Sequence, residues 1–187
     1  RKRTLFIFSV SLIILFLGWK AYLNYNNKWI SVDDSLGEIS GIEFDKAGNL
    51  WAINDSGNST EIHQIDSTGH IKRSINIYNA KNIDWEDLTQ DDFGHFFIGD
   101  FGNNDNERQD LTVYKIENPI DIREAETEAE IIRFKFRDQD LDHTTDSIKN
   151  FDLEAFIFYK GRLYLFTKNR TKPFDGYTNL YRMEDYA

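Results

Sequence analysis

The chain has 187 residues, a net charge of −10, 40% hydrophobic and 29% charged side chains, and no cysteine. That is enough for one domain of ordinary size. The acidic balance excludes nucleic acid as the main partner, because phosphate binding needs a basic patch. The lack of cysteine excludes disulfides, thiolate zinc sites, iron-sulfur clusters, cysteine nucleophiles and an acylated lipoprotein anchor.

Arg1, Lys2 and Arg3 precede an uncharged run from Thr4 to Trp19. Sixteen helical residues span roughly 24 Å, and continuing past a snorkelling Lys20 to Leu23 reaches roughly 30 Å, the thickness of a bilayer core. Residues 1–23 therefore read as a transmembrane signal anchor. Its basic end stays cytoplasmic, and everything after Asn24 lies outside the cytoplasm, periplasmic or at the cell surface. The alternative is a cleaved signal peptide, which needs small residues at its cleavage site; the stretch after Gly18, WKAYLNYNNKW, offers no A-x-A. Residues 24–37 read as a linker in which Trp29 to Val32 form a possible ring-closing strand.

From Glu38 onward, short apolar runs alternate with polar turns at a spacing of 8 to 12 residues, with no long stretch of helical period. This predicts an all-β domain over 38–187. The segments DKAGN (45–49), DSTGH (66–70), DDFGH (91–95) and YKGR (159–162) place Gly where a hairpin needs positive φ. A repeat organises the strands: Glu38-Ile-Ser40-Gly-Ile42, Asp84-Trp-Glu86-Asp-Leu88 and Asp152-Leu-Glu154-Ala-Phe156, each followed by a hairpin and a second strand. A unit of about 45 residues made of four strands is a propeller blade. Blade one is expected near 39–45, 49–54, 60–65 and 71–77, and blade two near 85–91, 95–100, 111–117 and 129–137. Blade three begins at 153 and reaches Ala187 after its third strand. Propellers close with about four to eight blades, so these three are expected to belong to a larger ring, with the native polypeptide continuing past Ala187. Were the chain complete, self-association would have to cover the open edge.

The stretches ISGIEFDKAGNLWAINDSGN, NIDWEDLTQDDFGHFFIGDFGNN and FDLEAFIFYKGRLYLFTKNR resemble a group of uncharacterised exported bacterial β-propeller proteins. They are more distantly similar to the SdiA-regulated periplasmic family and to phytase-like and NHL or TolB-like six-bladed propellers. The resemblance covers about Glu38 to Tyr181 and implies a six-bladed ring outside the cytoplasm, with no established reaction. Where calcium-dependent relatives use acidic residues around the central channel, the matching positions are Glu38, Glu86 and Glu154; Ser40, at the position of Glu86 and Glu154, departs from that pattern.

Residues two apart on a strand share a face. Glu38, Asp84, Glu86, Asp152 and Glu154 are thus expected to form an acidic ring at one mouth of the channel, which calcium, taking six to eight oxygens in irregular geometry, suits best. Alternatively, each carboxylate accepts N–H groups from the neighbouring blade and staples blades together. The loops after the second strands form a candidate binding rim: Asn54, Asp55 and Asn58; Asp100, Asn103 and Asp105; Lys168 and Arg170. Oxygen-rich loops suit a cation or a sugar and the two basic residues an anion, while Asn and Gly in loops also serve turn geometry alone. His63, His70, His95 and His143 show no metal spacing, Asp138 to Asp146 read as a solvated insertion, and Trp51, Trp85, Phe96 and Phe97 read as inter-blade core. No G-x-S-x-G, phosphate-binding Gly loop or H-E-x-x-H occurs. The sequence reads as a non-enzymatic, membrane-tethered binding module for a ligand or protein, stabilised by calcium. The alternative from another class is a metal-dependent phosphoester or lactone hydrolase using the acidic ring.

Overall fold

The computed structural model describes residues 29–139 and 149–186. The anchor expected over 1–23, His143 and most of the acidic insertion lie outside them; among the described residues no helix is long and apolar enough to cross a membrane.

Among the described residues, twelve strands form three sheets. The first contains β1 (Ile39–Phe44), β2 (Leu50–Asn54), β3 (Glu61–Ile65) and β4 (Ile71–Ile77), antiparallel in chain order. The second contains β5 (Trp85–Gln90), β6 (Phe96–Asp100), β7 (Leu111–Ile116) and β9 (Glu130–Phe134). The third contains β10 (Asp152–Phe158), β11 (Leu163–Lys168) and β12 (Leu180–Met183). These are the meanders expected of propeller blades. Trp29 to Val32 belong to no strand.

Two elements have no counterpart in the sequence expectation, a short 3-10 helix at Asp34–Leu36 within the expected linker and an eighth strand. β8 (Glu126–Thr127) pairs in parallel with the end of β4, making the first sheet five-stranded. It belongs to the β7–β9 connection, which also fixes Arg73 through the carbonyls of Pro119, Ile122 and Glu124. Asn79 and Ala129 exchange two 2.9 Å bonds beside it. The blade-two connection thereby covers the outer edge of blade one, where an unpaired strand would otherwise present free backbone groups.

The hairpins use aspartate as a turn clamp. Asp45 Oδ1 accepts the Ala47 and Asn49 N–H groups, Asp91 Oδ1 those of Phe93 and His95, and Asp66 Oδ1 those of Thr68 and His70. The glycine before the last turn residue supplies positive φ, 82° at Gly48.

The two larger core clusters lie between blades, and a smaller one packs Leu36 against Ala52 and Ile65 of blade one. Trp51, Ile53 and Ile75 of blade one meet Trp85, Leu88, Phe96 and Ile98 of blade two, while Phe97, Val113 and Ile132 meet Leu153, Phe156 and Leu165 of blade three. Trp51 packs edge-on to Phe96 at 6.4 Å, and Phe97 stacks on Phe158 at 5.9 Å. The first strands of the blades, β1, β5 and β10, lie side by side in that order. Gly41 permits the first approach, since a Cβ there would stand 2.8 Å from the Leu88 nitrogen. Across the second approach, Asp87 Oδ2 accepts the Phe156 N–H at 2.9 Å and Thr89 Oγ1 that of Phe158 at 3.3 Å.

Candidate functional site

The repeat places its acidic residues through a shared irregularity. All three first strands shift register at the same point, between Ile39 and Gly41, Trp85 and Asp87, and Leu153 and Ala155. Ser40, Glu86 and Glu154 are the extra residues of these bulges, which re-aim a side chain away from simple strand alternation. Glu38 and Asp84 stand just before their strands and Asp152 opens β10.

The five expected carboxylates do not form a uniform ring. Asp55, Asp84 and Glu86 gather most tightly, one oxygen of each lying within 4.8 Å of the others. Asp55 comes from the blade-one rim loop, so the group bridges two blades. The Gly102 backbone closes over it: a Cβ there would overlap Asp84 Oδ2 and Glu86 Oε1. The Asn104 amide approaches Asp84 at 3.5 Å, and among the described residues no basic side chain forms an ion pair with any of the three. Burial, followed by the charges of Glu154, Asp84, Asp55 and Asp152, pushes Glu86 up to about 8. Burial and then Asp55 also raise Asp84.

The blade-three pair is neutralised instead. Arg170 bonds through Nε to Asp152 Oδ2 and through Nη2 to Glu154 at 3.2 Å, and Lys168 Nζ reaches Glu154 at 2.8 Å. Fully buried Asp152 also accepts the Asn103 N–H at 2.7 Å, joining the blade-two rim to blade three. Glu38, on the other flank, takes a 2.8 Å bond from the Asn58 amide.

The rim residues divide similarly. Asn54 donates to the Ser35 carbonyl, and Asn82 reaches the Asn54 and Asp55 carbonyls. Asp100, fully buried, accepts the Asp84 N–H at 2.8 Å and pairs with Arg108; burial raises it despite these bonds. Asn103 is buried against the Phe151 carbonyl and the Arg108 N–H, whereas Asp105 is exposed. Lys168 departs from its expected place: the ladder partners of Ile39, Trp85 and Leu153 are Asn54, Asp100 and Thr167. Lys168 thus stands one position further on, at the place of Asp55.

Several residues here carried no sequence signal of their own. Asp87, whose carboxylate serves blade three, is raised by burial to about 6 even though the Phe156 and Leu88 N–H groups lower it. Asn106, at φ 60°, clasps Phe151 and the Asn103 carbonyl. Asn82, two residues before Asp84, staples the blade-one rim through the Asn54 and Asp55 carbonyls, whereas the Oδ1 of Asn150, at the matching place before Asp152, is buried with no hydrogen-bond partner among the described residues. The histidines stay apart: His63 contacts Ser74 and is lowered by burial, His70 faces Asp33 and His95 faces Asp91.

No protein-family model matches the chain, and no curated protein sequence does. Among solved structures, selenomethionine-substituted virginiamycin B lyase from Staphylococcus aureus is similar at 14% identity and a TM-score of 0.45, covering 82% of this chain and 44% of that one. A catalytically inactive variant of that lyase with quinupristin is similar at 14% identity and a TM-score of 0.42, covering 78% and 41%. The chain thus spans less than half the length of these structures.

Proposed function

We propose that this protein is a membrane-tethered, extracytoplasmic propeller-type binding module, its blades forming part of a six-bladed ring, that holds a divalent cation on Asp55, Asp84 and Glu86 and presents its loop rim to a ligand or protein. One observation carries the cation assignment: three carboxylates from two blades converge within 4.8 Å without a basic partner among the described residues, while the equivalent blade-three pair has two. Calcium fits the all-oxygen set, with the remaining ligands left to water and the rim. The cation would offset the mutual repulsion that raises Glu86. The tether rests on the basic start and the uncharged run from Thr4 to Trp19; sedimentation with membranes until detergent is added tests it.

The cation is tested by melting the full chain in detergent with calcium and then with chelator. A ligand at 100 times its dissociation constant adds about 2.7 kcal/mol, a shift of several degrees. A calcium-dependent rise that Glu86→Gln abolishes supports the site; an unchanged midpoint in the parent protein overturns it.

The second reading, a metal-dependent phosphoester or lactone hydrolase, is favoured by Glu86 alone, since a carboxyl group near 8 suits proton transfer at neutral pH. Metal-dependent turnover of a model ester, lost in a folded Glu86→Gln protein, would move the assignment to that class.

A further inference from the structure

The Asp-clamped hairpins share one turn position. The N–H groups of Ala47, Thr68 and Phe93 are each held by the aspartate two residues earlier. The turn therefore asks only for a backbone donor at this place, and alanine and threonine both serve. Phe93 nevertheless puts a benzyl group at the hairpin tip, 83% exposed, with the His95 ring 6.2 Å away. That exposure owes nothing to an open edge, because blade two has a blade on each side. The start of the β7–β9 connection lies against the same hairpin: a Cβ at Gly94 would stand 3.0 Å from the Asn118 amide nitrogen, and Asn118 Oδ1 accepts the N–H of Ile120 at 3.3 Å. Ile120 is itself 44% exposed.

Phe93 lies at the end of the blades where the chain enters them. First strands β1 and β5 run in the same direction, since Gly41 lies against Asp87 and Leu88 while the Phe44 carbonyl, further along, accepts a bond from the Gln90 amide. The β1–β2, β3–β4 and β5–β6 hairpins therefore share one end, and Asp55, Asp84 and Glu86 lie at the other. At the hairpin end Asp33 fixes the incoming chain: its N–H donates to the Gly69 carbonyl at 3.0 Å, and its Oδ2 accepts the Ile71 N–H at 2.6 Å. From Leu23, the last residue of the expected anchor, the chain reaches Asp33 in a stretch that spans at most about 35 Å when fully extended. So short a tether holds the hairpin end beside the bilayer, where an exposed aromatic ring can bury apolar surface in the interfacial zone. The acidic end is turned away from the like charge of anionic headgroups. We infer that the hairpin end of blade two, through Phe93 with Ile120, rests in the headgroup region of the bilayer that holds the anchor, which aims the acidic rim away from the membrane. This inference rests on the membrane tether proposed above.

Because the chain has no cysteine, single cysteines can report each end separately. Asp92 is exposed at the hairpin end and Asp105 at the rim. Full-length Asp92→Cys and Asp105→Cys proteins, each carrying the same fluorophore, are reconstituted into phosphatidylcholine vesicles doped with a headgroup nitroxide lipid. The Asp92→Cys label is expected to be quenched several-fold more than the Asp105→Cys label. Adding Phe93→Ser, a side chain the turn accepts as it does Thr68, should bring the two labels close together while the protein still sediments with the vesicles. Equal quenching of the two labels in protein that sediments leaves the tether standing and overturns the resting face, freeing Phe93 for a protein partner. Protein left in the supernatant overturns the tether and this inference with it. A difference that survives Phe93→Ser overturns the assignment of the contact to that ring.

Discussion

Blades two and three begin with the same acidic pattern and resolve it in opposite ways. At Asp152 and Glu154 the chain supplies Arg170, Lys168 and a backbone N–H from Asn103. At Asp84 and Glu86 it supplies a third carboxylate, Asp55, and the bare backbone of Gly102. A repeated motif therefore does not imply a repeated role. The blade-three pair fastens blades together, and the blade-two pair is left without an ion-pair partner among the described residues, its repulsion offset only in part by the nearby charge of Arg108.

The largest expected effect separates these roles. Asp152→Ala removes a fully buried acceptor and strands Arg170 and the Asn103 N–H. Breaking a buried pair from one side costs about 3–5 kcal/mol, although the partly exposed Arg170 places this case at the low end. Asp84→Ala, with chelator present, should cost far less, because it removes a carboxylate already under repulsion. Urea denaturation of both proteins measures the difference, and equal losses would break the comparison. Next in size is Asp87→Ala, which leaves the Phe156 N–H without its acceptor, a loss of about 1–3 kcal/mol, partly offset because burying that carboxylate is itself unfavourable.

The pH dependence sharpens the contrast. Glu86 is raised from its ordinary 4.5 to about 8, so between those values the folded protein holds a proton that the unfolded chain has released. Its contribution to stability is complete below about 4.5, falls as pH rises, and is gone above about 8. Asp87 acts with the same sign but completes its change near 6. Between pH 7 and 8.5 without divalent cation, the Tm of the parent protein should therefore fall more steeply than that of Glu86→Gln. Saturating calcium should flatten the difference, since a cation expels the same proton. Parallel profiles would show that Glu86 does not titrate in this window.

Much of the fold was legible because it is local. Period-two runs located eleven of the twelve strands, and the Asp-x-x-Gly turns fixed the hairpins. β8 escaped because two residues that pair with a different blade leave no periodic trace. The acidic positions were legible as a repeat, but their fates were not. A bulge adds a residue to one strand alone, so Glu86 and Glu154 cannot be aimed by counting, and the blade-three hairpin, one residue shorter between Phe158 and Leu163 than that between Phe44 and Leu50, shifts Lys168 by one place. Whether a carboxylate meets Arg170 or Asp55 depends on loops from neighbouring blades, distant in sequence.

The smallest expected effect tests the neutralised side. Lys168 is about half exposed and shares Glu154 with Arg170, so Lys168→Gln should cost under about 1 kcal/mol, as for exposed ion pairs. Its influence should appear in the charge field instead. Glu154 is the foremost charge raising Glu86, and removing one of its two basic partners leaves more of that charge uncompensated. The midpoint of Glu86, followed by carboxyl carbon resonance in cation-free protein, should therefore move further up in Lys168→Gln and back down in Glu154→Gln. A midpoint indifferent to both substitutions would mean that the two acidic pairs do not sense each other, and that the blade-two cluster must be understood from Asp55, Asp84 and burial alone.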